Sequence, residues 1–139
     1  MRQAHTTIAF PTTRQGLVEI TPAIVDWVAA QPQKDGLLTL FCRHTSASLL
    51  IQENASADAA GDIERFFARI APQSPSAYAH NDEGPDDMPA HLRTALTNVT
   101  LSVPLVNGRL ALGTWQGIFL FEHRHGPQQR EIVLHLIGE

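Results

Sequence analysis

The chain has one cysteine and one lysine among its 139 residues, and neither sits where reactive chemistry would need it. A lone Cys42 excludes an intrachain disulfide, and its place in the apolar run of residues 37 to 42 makes it a small core hydrophobe. Lys34 lies in the turn-like Gln31-Pro32-Gln33-Lys34-Asp35-Gly36, so the sequence offers no P-loop and no buried Schiff-base lysine. Basic residues number 10 against 14 acidic ones, a formal net charge of −4, and no basic stripe exists to follow a phosphate backbone. Nucleic acid is therefore not an expected partner. No Gly-x-Gly-x-x-Gly follows a strand, which disfavours a doubly wound dinucleotide fold. The start of the chain lacks an apolar signal core and no segment approaches a membrane span, so a soluble cytoplasmic protein without a membrane partner is expected.

What is present reads as one domain over residues 1–139, long enough to bury a core without disulfides. Strands are expected at 3–10 and 16–20. Thr21-Pro22 then supplies a cap and a proline at the first helical position, for a helix ending near Gln31-Pro32. Strands follow at 36–43 and 47–52, the first so uniformly apolar that both faces are expected to be covered. Residues 57–70 form an amphipathic helix with Ala59, Ile63, Phe66, Phe67 and Ile70 on one face. Asp58 and Asp62 lie toward its N-terminus and Arg65 and Arg69 toward its C-terminus, as the helix dipole favours. Pro89 opens a short helix to about Thr97 that should bury Leu92, Ala95 and Leu96. Val99, Leu101 and Val103 then alternate with Thr100 and Ser102, and Asn107-Gly108 is a hairpin signal. Further strands at 109–112, 116–123 and 130–137 complete an α+β fold built on an antiparallel sheet or sandwich.

The densest chemistry lies in His80-Asn81-Asp82-Glu83-Gly84-Pro85-Asp86-Asp87-Met88-Pro89-Ala90-His91, two imidazoles and four carboxylates in twelve residues. Such crowding suits a shared cation, a phosphorylated ligand held through one, or proton transfer; the plain alternative is a solvated acidic loop running into a helix. His91, in the first turn of its helix, is expected to be neutral, the metal-binding form. With His44 and His80 it could give three protein ligands and leave an open position for water or substrate. His44-Thr45-Ser46-Ala47-Ser48 joins two strands, where imidazole and hydroxyls gather at a sheet end; a Ser/His nucleophile lacks its Gly-x-Ser-x-Gly elbow, and capping is the commoner use of such hydroxyls. Leu112-Gly113-Thr114-Trp115-Gln116-Gly117 is either a binding wall or a bulge with Trp115 packed inside. His123 and Arg124 close the next strand and could face an anion or finish an edge.

These segments carry a resemblance. His44-Thr45-Ser46-Ala47-Ser48, Gln52-Glu53-Asn54-Ala55, Tyr78-Ala79-His80, Glu83-Gly84-Pro85-Asp86-Asp87-Met88-Pro89-Ala90-His91, Gly108-Arg109-Leu110 and Leu112-Gly113-Thr114-Trp115-Gln116-Gly117, in that order, resemble the YjbQ family, also called the secondary thiamine-phosphate synthase family. The resemblance implies a trimer of compact domains, each a curved antiparallel sheet or sandwich with two to three packed helices, and a secondary ability to join hydroxymethylpyrimidine diphosphate to thiazole phosphate. It implies His44, Glu53, His80, Asp87, His91, Thr114, Trp115 and Gln116 as site positions. Ser48 stands where many relatives have glycine, and Ser46 keeps a hydroxyl.

The resulting expectation is a transferase of the thiamine-phosphate synthase kind. His44, Glu53 and His91 are its catalytic candidates; Ser46, Asp87, Thr114, Trp115, Gln116 and Arg124 are its substrate contacts. His44, His80 and His91 are ligands to a divalent magnesium or zinc ion, with Asp82, Glu83, Asp86 and Asp87 able to hold it and Arg109 or Arg124 on the anion. The partners expected are a small phosphorylated or anionic molecule and two further copies of the chain. The alternatives are a metal-dependent hydrolase with Glu53 or Asp87 as base, and a non-catalytic trimer that binds a small anionic metabolite.

Overall fold

The computed structural model describes residues 1–139. In chain order the elements are β1 (Arg2–Thr12), β2 (Gly16–Glu19), α1 (Thr21–Ala29), β3 (Gly36–Cys42), β4 (Ala47–Glu53), α2 (Ala57–Ile70), α3 (Asp87–Leu96), β5 (Thr100–Val106), β6 (Arg109–Leu110), β7 (Gln116–Glu122) and β8 (Gln128–Gly138), with one 3-10 turn at Pro75–Ala77. Two antiparallel sheets face each other, a five-stranded one in the order β1-β8-β3-β5-β6 and a three-stranded one in the order β2-β7-β4. The α+β sandwich expected from the order of hairpins and single helices is the observed architecture.

Period-two patterning builds the core between the sheets. Leu38, Leu40 and Cys42 of β3, Leu101, Val103 and Leu105 of β5, and Ile132, Leu134 and Leu136 of β8 point inward from the larger sheet. They meet Ala47 and Leu49 of β4 and Ile118 and Leu120 of β7, with Ile24 and Val28 of α1 at the margin. Burial pushes the Cys42 thiol up to about 11, although the His44 backbone N–H and Arg130 oppose the shift, so it stays an unreactive packing group. The β5–β6 hairpin turns at Asn107 and Gly108, whose φ values of 51° and 78° are the left-handed pair that the Asn-Gly signal requires.

The strand covered on both faces is β7, not β3. Ile118 and Leu120 of β7 enter the main core, while Phe119 and Phe121 face Ile63 and Phe67 of α2 through a second small cluster. In β3 the alternate residues Leu37 and Phe41 remain 40% and 45% exposed, because no element of the chain covers the outer face of the larger sheet. An apolar run states only that both faces tolerate hydrophobes, and topology decides which face is covered.

Two helix faces also differ from expectation. Helix α2 packs through Ala60, Ile63 and Phe67, leaving Phe66 and Ile70 each 47% exposed. Helix α3 starts at Asp87, and it buries Asp87, Pro89, Ala90 and Arg93 while Leu96 is 63% exposed. The buried polar members are held from outside the helix: Arg93 donates to the Ala71 carbonyl, and Asp87 meets Arg124. Apolar counting alone cannot find such a face. Thr21 lies inside α1 and does not cap it; its hydroxyl donates to Glu19 and accepts the Ile118 N–H.

Candidate metal centre

Helix α3 and the loop before it bring His80, Asp87 and His91 together, with one ligand atom from each inside a 4.8 Å set. Asp87 and His91 are one helical turn apart, so their side chains share a face. Asp87 Oδ2 lies 3.0 Å from His80 Nε2 and 3.3 Å from His91 Nε2, and the carboxylate is only 2% exposed. Arg124, at the end of β7, fixes its other oxygen: Nη1 donates to Asp87 Oδ1 at 2.9 Å, Nε to Asp86 Oδ2 at 3.0 Å and Nη2 to the Glu83 carbonyl at 2.9 Å. Burial alone would raise the Asp86 pKa, but the His125 N–H and Arg124 outweigh it and hold the group ionised below its usual range.

The tautomer of His91 is fixed by its neighbour. Its Nδ1 lies 2.9 Å from the Thr45 carbonyl oxygen, which can only accept, so Nδ1 carries a proton. The neutral ring then turns the lone pair of Nε2 toward Asp87 Oδ2 at 3.3 Å. Two lone pairs in contact repel unless a positive charge lies between them, either a second proton on the ring or a cation. A backbone carbonyl that orients a histidine in this way is the usual second partner of a metal-bound imidazole. Ligand atoms about 2.0–2.2 Å from a tetrahedral ion lie roughly 3.3–3.6 Å apart, close to the separations seen here. Two imidazoles and one carboxylate suit zinc or another first-row ion better than magnesium, which prefers oxygen ligands.

Of the expected ligands, His80 and His91 are therefore brought together with Asp87, and His44 is not. His44 Nε2 accepts the Glu131 backbone N–H at 2.8 Å, across the junction between β3 and β8. It does share with His91 an open concavity of about 690 Å³ whose lining includes Phe41, Arg43, Thr45, Ala95 and Val99. Ser46 is engaged by the Arg130 guanidinium through both hydroxyl and carbonyl, and Arg130 is in turn paired with the buried Glu122 at 2.6 Å. Arg124 binds the chain's own acids, which corrects its expected role as a substrate contact. Of the four acids, Asp82 and Glu83 are exposed and Asp86 faces Arg124, so Asp87 alone reaches the centre.

Glu53, Thr114, Trp115 and Gln116 are at the other end of the smaller sheet. Glu53 pairs with Gln116 where the β4–β7 ladder begins, whereas Ala47 pairs with Glu122 where it ends next to Ser46. Seven residues of strand separate the ends by about 20 Å, so Glu53 is no base for this centre in the same chain. Trp115 is 64% exposed, which corrects the packed-inside alternative, and Gln116 accepts the Gly113 N–H at 2.8 Å. Arg109 lines a separate concavity against α1.

The profile of the UPF0047 protein YjbQ-like family matches residues 6–139. This chain belongs to the YjbQ family. It is 49% identical over 138 residues to the UPF0047 protein sll1880 of Synechocystis, covering 99% of this chain and 94% of that one. It is 42% identical to the UPF0047 protein YjbQ of Salmonella typhimurium, covering 96% of each. Among solved structures, a YjbQ/UPF0047 family protein of Clostridium acetobutylicum superposes with a TM-score of 0.86 at 29% identity, covering 95% of this chain and 99% of that one.

The YjbQ-family motifs left one Ser/His pair unread. Ser48 Oγ lies 2.8 Å from His123 Nε2, and both residues are fully buried, so the pair is sealed from any substrate and acts in packing. Ser48 lies within the regular part of β4 opposite Phe121, and its hydroxyl also meets Thr97 at 2.6 Å. Burial, reinforced by the charge on Arg93, lowers the His123 pKa to about 3.

Proposed function

We propose that this YjbQ-family chain is a metal-dependent enzyme acting on a small phosphorylated molecule, with His80, Asp87 and His91 as the ligands of one divalent ion. The carrying observation is the Thr45 carbonyl, which commits His91 Nδ1 and leaves Nε2 facing Asp87 Oδ2. An ion held there would supply Lewis-acid stabilisation of a phosphoryl oxygen and activate water. The adjoining concavity offers Phe41, Ala95 and Val99 for a flat apolar body and Arg43 for an anionic end. A heteroaromatic diphosphate suits that division of chemistry.

The reaction proposed is the thiamine-phosphate synthase kind. The thiazole nitrogen forms a bond to the pyrimidine methylene carbon, the carbon–oxygen bond breaks, and diphosphate leaves with the electron pair. A second reading, hydrolysis with water as the acceptor, is favoured by the donor set, since two imidazoles and one carboxylate form a common catalytic zinc set. Zinc-loaded protein given hydroxymethylpyrimidine diphosphate and thiazole phosphate should form thiamine phosphate above a chelator-treated control. Release of phosphate without thiamine phosphate would select the hydrolase. No turnover of either kind, with tight retention of the diphosphate, would select a non-catalytic binder.

A homotrimer in the cytoplasm completes the proposal. Leu37 and Val106 on the uncovered face of the larger sheet are apolar surface that a second copy would bury. No helix is long and apolar enough to cross a membrane. Sedimentation equilibrium should give three times the chain mass of 15.3 kDa; a concentration-independent monomer would remove this part of the account.

A further inference from the structure

The concavity beside the metal centre is lined by two imidazoles, His44 and His91, that are wired in opposite senses. His91 donates its Nδ1–H to the Thr45 carbonyl, so that its neutral ring has the lone pair at Nε2. His44 accepts the Glu131 N–H at Nε2, and a backbone N–H can only donate, so its neutral ring must carry the proton on Nδ1. The neutral state is favoured by burial of the ring, with Arg130 adding to the effect. No protein group takes the Nδ1–H, and Nδ1 is not enclosed by the protein, so this donor is open to a ligand. Arg43 stands on the same rim, paired with Glu131 at 3.2 Å and more than half exposed.

We infer that His44 is a tautomer-locked hydrogen-bond donor that presents Nδ1–H to a phosphoryl oxygen of the bound molecule, and is not a ligand of the ion. This rests on the proposed metal centre and sharpens its substrate class: the group beside His44 must be a hydrogen-bond acceptor, as a phosphoryl oxygen is, and an ammonium or amide N–H there would meet another donor. His44 and Thr45 are consecutive, so one short link between β3 and β4 supplies both the donor and the carbonyl that orients His91. The same backbone segment thus sets a proton on the substrate side and a lone pair on the metal side.

Two substitutions separate the two nitrogens of His44. In His44→Asn the amide nitrogen can occupy the place of Nδ1 and keep the donor. In His44→Gln the amide oxygen can reach the place of Nε2 and keep the Glu131 contact, but the donor at Nδ1 is lost. Calorimetric titration of zinc-loaded protein with inorganic pyrophosphate should give similar affinity for wild type and His44→Asn. His44→Gln should bind about 10- to 100-fold more weakly, the loss of one hydrogen bond to a charged group. All three proteins should take up zinc equally. Nitrogen-15 spectra of the wild type should show His44 with a protonated Nδ1 and an unprotonated Nε2. Equal pyrophosphate binding by His44→Gln, failure of the wild type to bind pyrophosphate, loss of zinc on either substitution, or the opposite tautomer would each overturn the inference. Failure of the wild type to bind zinc would instead strike the metal centre itself, and the tautomer measurement would still decide the state of His44.

Discussion

Asp87→Asn should abolish tight zinc binding while leaving a folded protein. The substitution keeps the side chain's shape and removes the charge toward which His80 Nε2 and His91 Nε2 both point at 3.0 and 3.3 Å. Changing a residue that merely orients a ligand costs about 10–100-fold in metal affinity, so losing a ligand should cost at least about 100-fold. Stability should fall by about 1.5–3 kcal/mol, the range for a hydrogen bond to a charged group. The loss stays moderate because Arg124 is still held by Asp86 and the Glu83 carbonyl. Zinc competition with a chromophoric chelator and a urea melt read the two effects separately. Unchanged zinc affinity would remove Asp87 from the centre, and loss of the folded state would show that its pairing with Arg124 is chiefly structural.

The second large effect is an acid-side loss of stability set by His123. In the folded chain burial, with help from Arg93, holds this imidazole uncharged down to about pH 3, whereas in the unfolded chain it titrates near 6.5. Between those values the unfolded state binds the extra proton, so stability is full above about pH 6.5 and falls as the pH drops toward 3. The slope approaches about 1.4 kcal/mol per pH unit, or on the order of 2 kcal/mol between pH 6 and 4.5. His44, whose pKa is lowered by burial and by Arg130, adds to the same window. Glu122 acts lower on the scale. Its burial is outweighed by Arg130, Thr12 and the Arg124 N–H, so its pKa is depressed and its stabilisation is lost as pH falls below the ordinary carboxylate range. Urea melts with chelator present at pH 7, 6, 5 and 4.5 should show this decline, and His123→Gln, less stable at pH 7, should show a shallower one. A His123→Gln profile parallel to that of wild type would mean that His123 is not the titrating group.

The order and type of the elements could be read from the sequence because they depend on local pattern. The alternation in β5 and β8, the Asn107-Gly108 turn and the amphipathic charge bias of α2 are each set by neighbours within a few residues. The helix at α3 is legible in the sequence, but its buried face is not, because that face is partly polar. Asp87 and Arg93 are satisfied by Arg124 and by the Ala71 carbonyl, partners remote in sequence that no periodicity reveals. The site divides in the same way. His80, Asp87 and His91 lie in one twelve-residue stretch, and the spacing of Asp87 and His91 already places them on one helical face. His44 stays outside this cluster, and the backbone N–H that occupies its Nε2 comes from 87 residues away, beyond the reach of any local pattern. Glu53 and the Gly113 to Gly117 segment share the family's motif set but occupy the far end of the β4–β7 ladder, a separation that only the strand pairing discloses. Arg124 gave a usable hint, since an arginine ending a strand in a chain with an acid run has carboxylates to meet, but the sequence could not say whether they belong to the protein or to a substrate.

The central claim is that His80, Asp87 and His91 hold one divalent ion. Anomalous diffraction at the zinc edge, from crystals grown with one equivalent of zinc, tests it most directly. The account predicts a single strong peak per chain bonded to Nε2 of His80, Nε2 of His91 and a carboxylate oxygen of Asp87, with His44 outside its reach. A peak bonded to His44, or no peak at these three residues with zinc in excess, would contradict it.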